Sequence, residues 1–370
     1  MPDLYIGLMS GTSMDGIDAA LLDLSDGKAT LLATHCKSYP ESLRHRIETA
    51  LRLHDPRTAD LDELDTMIGN CFADAVSDLL GMAGIRPGQV IAIGSHGQTI
   101  RHEPDAPEPY SLQLGKPSII SARTGIDTIA DFRSADIDAG GQGAPLVPAF
   151  HHAVFASNKE NRAVINIGGI ANITILPANA GIAVTGFDTG PGNTLMDIWV
   201  RRHLGEGFDH QGAWAASGKI EIRLLAAMLQ DGYFSITPPK STGREYFNRA
   251  WLTSYLQGLE TKANDVQATL CELTAVSITD AIEKYAPATQ RVLVCGGGAK
   301  NNYLMARIQD CIREIPVTST LDFGIHPDWV EAAAFAWLAK QHHEGKPGNI
   351  PEVTGASGPV VLGKLFKHQQ

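Results

Sequence analysis

Two segments of this sequence share one pattern, in which a short apolar strand meets a glycine-containing turn and a second strand follows. Residues 4–27 contain the strand LYIGLMS, the turn GTSMDG and the returning strand IDAALLDLSDG. Residues 162–177 read RAVINIGGIANITILP. Alternating apolar residues on both sides of a glycine turn are typical of a β-hairpin. The chain is therefore expected to contain two hairpins, each at the start of a sheet.

The elements after each hairpin follow a similar order of helices and strands. Helical spacing of apolar residues indicates helices at 41–54 and about 58–82, a long helix at about 265–284, and a final amphipathic helix in DWVEAAAFAWLAK. Buried strands are expected in VIAIGS, GIAVTGFDTG, RVLVC and IPVTST. We expect an α/β protein of two similar domains, residues 1–160 and 161–370, with mixed β-sheets flanked by helices and a cleft between them. As an alternative, the C-terminal tail packs against the first domain.

Composition excludes several classes of function. The net charge is −11 and no basic stripe occurs, which argues against binding to nucleic acid. The 5 cysteines include no CxxC pair, so neither a disulfide framework nor a structural zinc site is expected. No apolar run approaches the roughly 20 residues needed to cross a bilayer, and no signal-peptide pattern opens the chain. A cytoplasmic protein with no membrane partner is expected.

The stretch SGTSMDG at 10–16 also resembles the surroundings of the nucleophilic serine in subtilisin-like proteases, with SHGQT at 95–99 as the histidine segment. The order along the chain is against this, because Ser13 precedes His96 whereas the subtilisin triad ends with its serine. Asp15 follows where the protease pattern has a small residue, and the residues after it indicate a strand rather than a buried helix. A serine hydrolase is therefore disfavoured.

Three glycine turns are instead suited to phosphate, because backbone N–H groups and small hydroxyls can approach an anion closely there. The residues concerned are Gly11, Thr12, Ser13, Met14, Asp15, Gly16, Ile17 and Asp18 in the first turn, Gly168 and Gly169 in the second, and Gly296, Gly297 and Gly298 in the third. Asp15, with Asp18, is the candidate ligand for Mg²⁺ or its waters. Neither a P-loop nor a Rossmann fingerprint is present. Each turn alone is weak evidence for a phosphate site, but together they favour a nucleotide held by two facing hairpins, as in actin-like ATPase (ribonuclease H-like) folds. The usual adenosine contact of that architecture is a strand–GGG–helix turn, for which Gly296, Gly297 and Gly298 qualify.

Five motifs resemble one known family. The segments IGLMSGTSMDGID, IGSHGQT, NIGGIANIT, FDTGPGN and GGGAKN occur in this order over roughly residues 5–340, as in the anhydro-N-acetylmuramic acid kinases of bacterial cell-wall recycling. The resemblance implies that ATP and Mg²⁺ are used to phosphorylate the 6-oxygen of the anhydro amino sugar while water opens its anhydro ring. It also implies a homodimer. A kinase for another sugar and a non-catalytic, nucleotide-binding sugar sensor remain as alternatives.

The resemblance also implies that Asp188, in FDTGPGN, is the carboxylate that takes a proton from the attacking water. The alternative is an aspartate that only caps a helix or shapes a turn. Glu331 is a second candidate catalytic residue, because the apolar residues beside it suggest burial and a buried carboxylate needs a partner. A partly exposed helix glutamate is the alternative.

Three further residues are candidates for contact with the sugar. Arg133 has the planar fork that suits the sugar's lactyl carboxylate, although a surface ion pair would explain it equally well. His96 and Gln98 follow a predicted strand at the sugar side, where a structural histidine at the strand end is the alternative. Closure of the two domains would exclude bulk water, which predicts a hinge near residues 138–160 and another before the C-terminal helix.

Overall fold

The computed structural model describes residues 2–11, 14 and 16–368, and it divides into two compact units. The first unit comprises the chain up to Val154 together with the chain from Trp329 onward, and the second comprises Phe155–Asp328. The division predicted at residue 160 differs from this in one main respect. The chain returns to the first unit at Trp329, so the final helix belongs to the first unit and not to the second.

The strands and helices alternate as expected for an α/β protein. The first unit begins with β1 (Leu4–Ser10), β2 (Ile17–Asp23), β3 (Thr30–Lys37), α1 (Glu41–Leu51), α2 (Asp62–Ala83), β4 (Val90–Glu103), β5 (Tyr110–Leu114), α3 (Pro117–Thr124), β6 (Thr128–Ala130), α4 (Ser134–Asp138) and α5 (Val147–Phe155). The second contains β7 (Arg162–Ile167), β8 (Ile170–Leu176), β9 (Thr185–Pro191), α6 (Thr194–Leu204), α7 (Ala213–Ala216), α8 (Ile222–Leu229), α9 (Gly232–Ser235), α10 (Arg249–Leu256), α11 (Ala263–Tyr285), β10 (Arg291–Cys295), α12 (Asn302–Cys311) and β11 (Val317–Ser319). The first unit is completed by α13 (Val330–His343), α14 (Pro351–Thr354) and β12 (Lys364–Phe366).

Both sheets have the same strand order. In the first unit the order is β12-β6-β4-β1-β2-β3, with β5 paired to β4. In the second unit it is β11-β10-β7-β8-β9. In each sheet the hairpin is antiparallel and the strand on its other side, β4 or β10, runs parallel to the first hairpin strand. The predicted α/β fold with two similar mixed sheets flanked by helices is confirmed.

Helix α13 differs from the prediction, because it is buried on most of its surface and is not amphipathic. Its buried residues run almost without interruption from Val330 to Ala339. The helix packs directly on the first sheet at two strand glycines. A β-carbon at Gly7 would lie 1.8 Å from the carbonyl oxygen of Ala332, and one at Gly94 would lie 2.0 Å from that of Phe335. Only glycine at these strand positions lets the helix backbone come so close.

The sequence predicts no segment that crosses a membrane. In residues 2–11, 14 and 16–368, none of the helices combines the length and the apolar character that crossing a membrane requires.

The contact between α13 and the first sheet predicts how two glycine substitutions affect stability. Gly7→Ala places a methyl group inside the backbone of α13, so we expect the free energy of unfolding to fall by about 3 kcal/mol. Gly81→Ala is the matched control, because Gly81 lies in α2 with nothing within 4 Å of the new methyl group. We expect Gly81→Ala to raise stability by about 0.5–1 kcal/mol. Urea unfolding followed by circular dichroism measures both, and equal effects would contradict the proposed packing constraint.

Candidate active site

Asp188 lies in β9 of the second unit, opposite Asn172 of β8. Three hydrogen bonds hold it in place. Its N–H donates to the carbonyl of Lys240 (3.1 Å), its own carbonyl accepts from the hydroxyl of Tyr233 (2.7 Å), and its Oδ2 accepts from the N–H of Thr242 (2.9 Å). The N-cap position of α6 is Asn193, five residues further along the chain. Asp188 is therefore not the capping residue that the alternative interpretation suggested.

The surroundings of Asp188 raise the pKa of its carboxyl group towards neutral pH. Burial disfavours the charged carboxylate and raises its pKa from 3.8 to about 6. The hydrogen bond from Thr242 and the charge of Lys240 act in the opposite direction, and the carboxylate of Glu245 adds to the rise. A partly buried carboxyl group that exchanges its proton near neutral pH is suited to act as a general base.

This balance predicts that two substitutions shift the pKa of Asp188 in opposite directions. Lys240→Met removes a positive charge and should raise the pKa, whereas Glu245→Gln removes a negative charge and should lower it. Carboxyl ¹³C NMR across pH 4–8 would measure both shifts, with the Asp188 signal assigned by comparison with Asp188→Asn. The exposed Lys219 supplies a control, since Lys219→Met should leave the pKa unchanged. Shifts in the same direction would contradict the electrostatic assignment.

Gly168 and Gly169 connect β7 to β8 and lie against the first residues of α6. The carbonyl of Gly168 accepts from the N–H of Asn193 (2.8 Å), and that of Gly169 accepts from the N–H groups of Gly192 (2.9 Å) and Thr194 (3.1 Å). These N–H groups would otherwise lack partners at the start of a helix. The predicted phosphate hairpin is thereby attached to the same turn that follows Asp188.

The third glycine turn packs against the same hairpin. Gly296, with a φ of 77°, follows β10, and residues 297–300 form a 3₁₀ turn before α12. A β-carbon at Gly296 would lie 2.4 Å from Oδ1 of Asn166, and one at Gly298 would lie 2.3 Å from Cγ2 of Ile167. At Gly297 the nearest atom would be 3.8 Å away. Two of these glycines are thus required by contact with the end of β7, while Gly297 has open space beside it.

The first predicted phosphate turn is described only in part, since Thr12, Ser13 and Asp15 lie outside the described residues. Met14 has a φ of 57° and donates its N–H to the carbonyl of Gly11 (3.1 Å). Gly16 is buried, and the fully buried Ile17 belongs to the apolar core of the first unit. Asp18 is the second residue of β2, lies opposite Met9 and is partly exposed.

Gln98 lies at the base of this turn. Its Oε1 is 2.8 Å from the hydroxyl of Ser10, which is also 3.0 Å from the carbonyl of Gly16. Its Nε2 donates to the carbonyl of Gly11 (3.4 Å). Gln98 is fully buried, so these contacts connect β4 to both ends of the glycine turn.

His96 lies within β4, not at a strand end as the alternative interpretation assumed, because β4 continues to Glu103. Its Nδ1 is 2.9 Å from the carbonyl of Gly97, so Nδ1 carries the proton. Its Nε2 then accepts from the guanidinium of Arg133 at 2.9 and 3.2 Å. Burial and the Arg133 charge hold the pKa of His96 well below its usual value. With its Nε2 lone pair engaged, His96 is unsuited to activate a serine, and this also disfavours the hydrolase interpretation.

Arg133 is a partly buried cation with a specific set of neighbours. It donates from Nη1 to the carbonyl of Gly143 (2.7 Å) as well as to His96. Burial lowers its pKa to about 10, while the carboxylates of Glu331 and Asp136 favour its charged form. Glu331 is partly exposed in the first turn of α13. The structure therefore places Arg133, His96 and Glu331 in one electrostatically linked group of the first unit.

A polar cavity of about 290 Å³ adjoins this group. His96, Ser111, Gln113 and Asp131 are among the residues that line it. The hydroxyl of Ser95, which also lines the cavity, is buried and has no hydrogen-bond partner among the described residues. The volume is close to the lower limit for small-molecule sites, and the lining offers donors and acceptors suited to a hydroxylated ligand.

The segment that follows α9, ITPPKSTGRE, lies outside the motifs recognised in the sequence but contributes to the site. Lys240 and Thr242 contact Asp188, and Arg244 lies beside Gly169. The signal that could have identified it is the combination of small, hydroxyl and basic residues in a proline- and glycine-rich loop, which is typical of phosphate-binding segments. Because the segment has no helical or strand periodicity, the hydrophobic pattern does not predict an element there.

Comparison with known proteins gives a consistent family. A family profile described as anhydro-N-acetylmuramic acid kinase matches residues 3–368. Proteins named anhydro-N-acetylmuramic acid kinase are 47% identical in Coxiella burnetii over 362 residues (98% of this chain, 97% of that protein), 50% in Shewanella loihica over 363 residues (98% and 98%), and 50% in Xylella fastidiosa over 369 residues (98% and 96%).

Solved structures give weaker likenesses. The activator of 2-hydroxyisocaproyl-CoA dehydratase from Clostridium difficile, with bound ADPNP, has a TM-score of 0.49 at 12% identity and covers 92% of this chain and 96% of its own. A ROK family glucokinase from Streptomyces griseus, in complex with glucose and AMPPNP, has a TM-score of 0.42 at 14% identity and covers 91% and 99%. TM-scores below 0.5 support no conclusion about the ligands of this chain.

Proposed function

We propose that this chain, which belongs to the anhydro-N-acetylmuramic acid kinase family, converts 1,6-anhydro-N-acetylmuramic acid, ATP and water into N-acetylmuramic acid 6-phosphate and ADP. The family assignment supports the reaction. The structural observation that carries the proposal is Asp188, a partly buried carboxyl group with a pKa of about 6 beside a glycine hairpin. The role of such a reaction is to return cell-wall amino sugar to metabolism.

The reaction joins a hydrolysis to a phosphoryl transfer. Water attacks the anomeric carbon, and the bond between that carbon and the bridging 6-oxygen breaks, with its electron pair going to the oxygen. This oxygen forms a bond to the γ-phosphorus of ATP, whose bond to the ADP oxygen breaks. One proton of the water goes to the Asp188 carboxylate and from there to solvent, while the other stays on the new anomeric hydroxyl. Asp188 is suited to this role because it is largely ionised at neutral pH and becomes a stronger base through burial.

The nucleotide is proposed to bind to the second unit. The hydroxyl of Thr194 is buried beside the Gly168–Gly169 turn and has no hydrogen-bond partner among the described residues. A buried hydroxyl of this kind is expected to bind a ligand or a water. The open side of Gly297 leaves space for the adenosine end. The first glycine turn, Gly11–Asp18, is proposed as the second phosphate contact.

Magnesium is proposed as the companion ion of ATP. In the part of the chain that the structure describes, no group of three or more His, Cys, Asp or Glu side chains could hold a metal. This fits Mg²⁺, which keeps several waters and is bound by one or two carboxylates together with substrate phosphates. Asp18 and Asp15, the latter outside the described residues, are the proposed ligands. Bound Mg²⁺ would neutralise phosphate charge.

The first unit is proposed to recognise the amino sugar. The guanidinium of Arg133 matches the lactyl carboxylate in charge and geometry, and its neighbour His96 remains neutral and holds it in place. Glu331 is proposed to accept a hydrogen bond from the sugar or the water. Gln98 is buried in contacts with the glycine turn, which favours a positioning role for it.

The proposed reaction is tested by the mass and isotope content of the product. With ATP, Mg²⁺ and the anhydro sugar, we expect ADP to form only when the sugar is present. The product should contain one phosphoryl group and one water more than the sugar. In ¹⁸O-labelled water, rapid quenching should show one label in the product, with N-acetylmuramic acid 6-phosphate incubated in parallel to correct for exchange. A phosphorylated sugar with its anhydro ring intact would indicate a different sugar kinase, and absence of sugar-dependent ADP would indicate a sensor.

Asp188→Asn is expected to lower turnover and raise stability together. Removal of the base should reduce kcat about 10³-fold. The folded protein holds the Asp188 proton more tightly than the unfolded chain does, so ionisation costs the native state stability as pH rises from about 4 to about 6. Asparagine removes this cost and should raise the free energy of unfolding by about 2 kcal/mol at pH 7.5, with no gain at about pH 4.

Asp280 of α11 supplies the control for this prediction. Its pKa is also raised, by partial burial and by Glu283, but it has no assigned part in the reaction. Asp280→Asn should therefore retain turnover. A pH-independent change in the stability of Asp188→Asn would contradict the ionisation cost, and near-normal turnover would remove Asp188 from its role.

A further inference from the structure

The start of α6 uses its backbone donors on the glycine hairpin. The N–H groups of Gly192, Asn193 and Thr194 all donate to the carbonyls of Gly168 and Gly169. They are therefore not available to an anion at this helix terminus, although such termini commonly bind phosphate through these groups. Side chains beside the hairpin are therefore considered as further donors to a phosphoryl group.

Two side chains beside Gly169 can supply those donors. A β-carbon at Gly169 would lie 2.8 Å from Oγ1 of Thr194, 2.9 Å from Nε of Arg244 and 3.0 Å from Nη2 of Arg244. The absence of a side chain at Gly169 thus brings a hydroxyl and a guanidinium to the same face of the turn.

Neither group has a hydrogen-bond or ion-pair partner among the residues that the structure describes. Thr194 is 8% exposed, and its Oγ1 has no hydrogen-bond partner within the described ranges. A buried hydroxyl without a partner is uncommon and marks a site that a ligand or water completes. Arg244 is exposed, and among residues 2–11, 14 and 16–368 no carboxylate forms an ion pair with it at 4.0 Å or less.

The segment that carries Arg244 also holds the proposed base. Thr242 donates its N–H to the carboxylate of Asp188, and Lys240 accepts from the N–H of Asp188. Arg244 is two residues beyond Thr242, so the same short loop positions the base and places a cation at the hairpin. This connection favours contact with the phosphoryl group that reacts over contact with the adenosine end of the nucleotide.

We infer that Arg244 and Thr194 bind the γ-phosphoryl group of ATP and stabilise its charge during transfer. The inference rests on the proposed function. Arg244 donates hydrogen bonds to phosphoryl oxygens without giving up a proton, and Thr194 donates its hydroxyl hydrogen to another of them. The bond from phosphorus to the ADP oxygen breaks as the bond to the sugar oxygen forms, and the guanidinium balances the charge that spreads over the phosphoryl oxygens.

The test for Arg244 compares triphosphate with diphosphate. In Arg244→Gln we expect kcat to fall about 10²-fold and the affinity for AMPPNP, measured by calorimetry, to fall roughly 10-fold. The affinity for ADP should stay within about twofold, because the contact is with the γ-phosphoryl group. Arg244→Lys should recover only part of kcat, since lysine keeps the charge but not the fork. Arg249→Gln, an exposed arginine at the start of α10, should behave like the unmodified protein.

Thr194→Val tests whether the hydroxyl of Thr194 binds a ligand or only stabilises the fold. Because this hydroxyl has no partner in the described structure, its removal should leave the thermal midpoint of the unliganded protein unchanged or higher. The affinity for AMPPNP and kcat should each fall roughly 10-fold, and Thr194→Ser should retain both. Thr253→Val, an exposed position on α10, is the control. A lower thermal midpoint with unchanged kcat would show a structural role and overturn the assignment.

The outcomes distinguish this inference from the proposed reaction. If the unmodified protein does not turn over the anhydro sugar, the proposed function fails, while the AMPPNP and ADP affinities still test the two side chains. If the protein is active but Arg244→Gln keeps kcat and the preference for triphosphate, the inference fails alone. Equal loss of AMPPNP and ADP affinity would also overturn it, because the contact would then lie elsewhere on the nucleotide.

Discussion

The contact between the Gly168–Gly169 turn and the first residues of α6 is the interaction on which the second-unit site depends. Helix N-termini have N–H groups without intrahelical partners, and in this protein the hairpin carbonyls satisfy those of Asn193 and Thr194 and also accept from the N–H of Gly192 just before the helix. Thr274 of α11 adds to the connection, with its hydroxyl 3.0 Å from the carbonyl of Pro191 and 2.9 Å from that of Gly192. Asp188, the turn after it and the glycine hairpin are therefore held as one rigid piece.

The candidate residues around Asp188 and around Arg133 both depend on charges that are partly shielded from solvent. Around Asp188, burial and Glu245 favour the acid while the Thr242 N–H and Lys240 favour the carboxylate, so the pKa comes to lie near 6. Around Arg133, burial disfavours the cation while Glu331 and Asp136 favour it. Such compensated burial costs stability but prepares a group for reaction or binding.

Most of the fold could be predicted, because local patterns determine it. Alternation around glycine turns predicted both hairpins, and the repeated order of elements predicted two similar sheets, as the matching strand orders confirm. The errors concern long-range packing. The chain's return to the first unit at Trp329 has no local signal. The burial of α13 depends on Gly7 and Gly94, which are distant from it in sequence.

The candidate site could be predicted only where a motif marks it. Short segments of the sequence predict Asp188, the glycine turns and Arg133 as site residues, whereas the approach of Thr194 and Arg244 to Gly169 depends on the folding of distant segments onto the hairpin.

The sequence by itself determined the two hairpins, the α/β class and the resemblance to one kinase family, since these depend on neighbouring residues and on motifs. Only the tertiary structure decided the pKa of Asp188, the Arg133–His96 contact and the approach of Thr194 and Arg244 to Gly169. The reason is that burial, charge and close contact are set by residues that the chain brings together from distant positions.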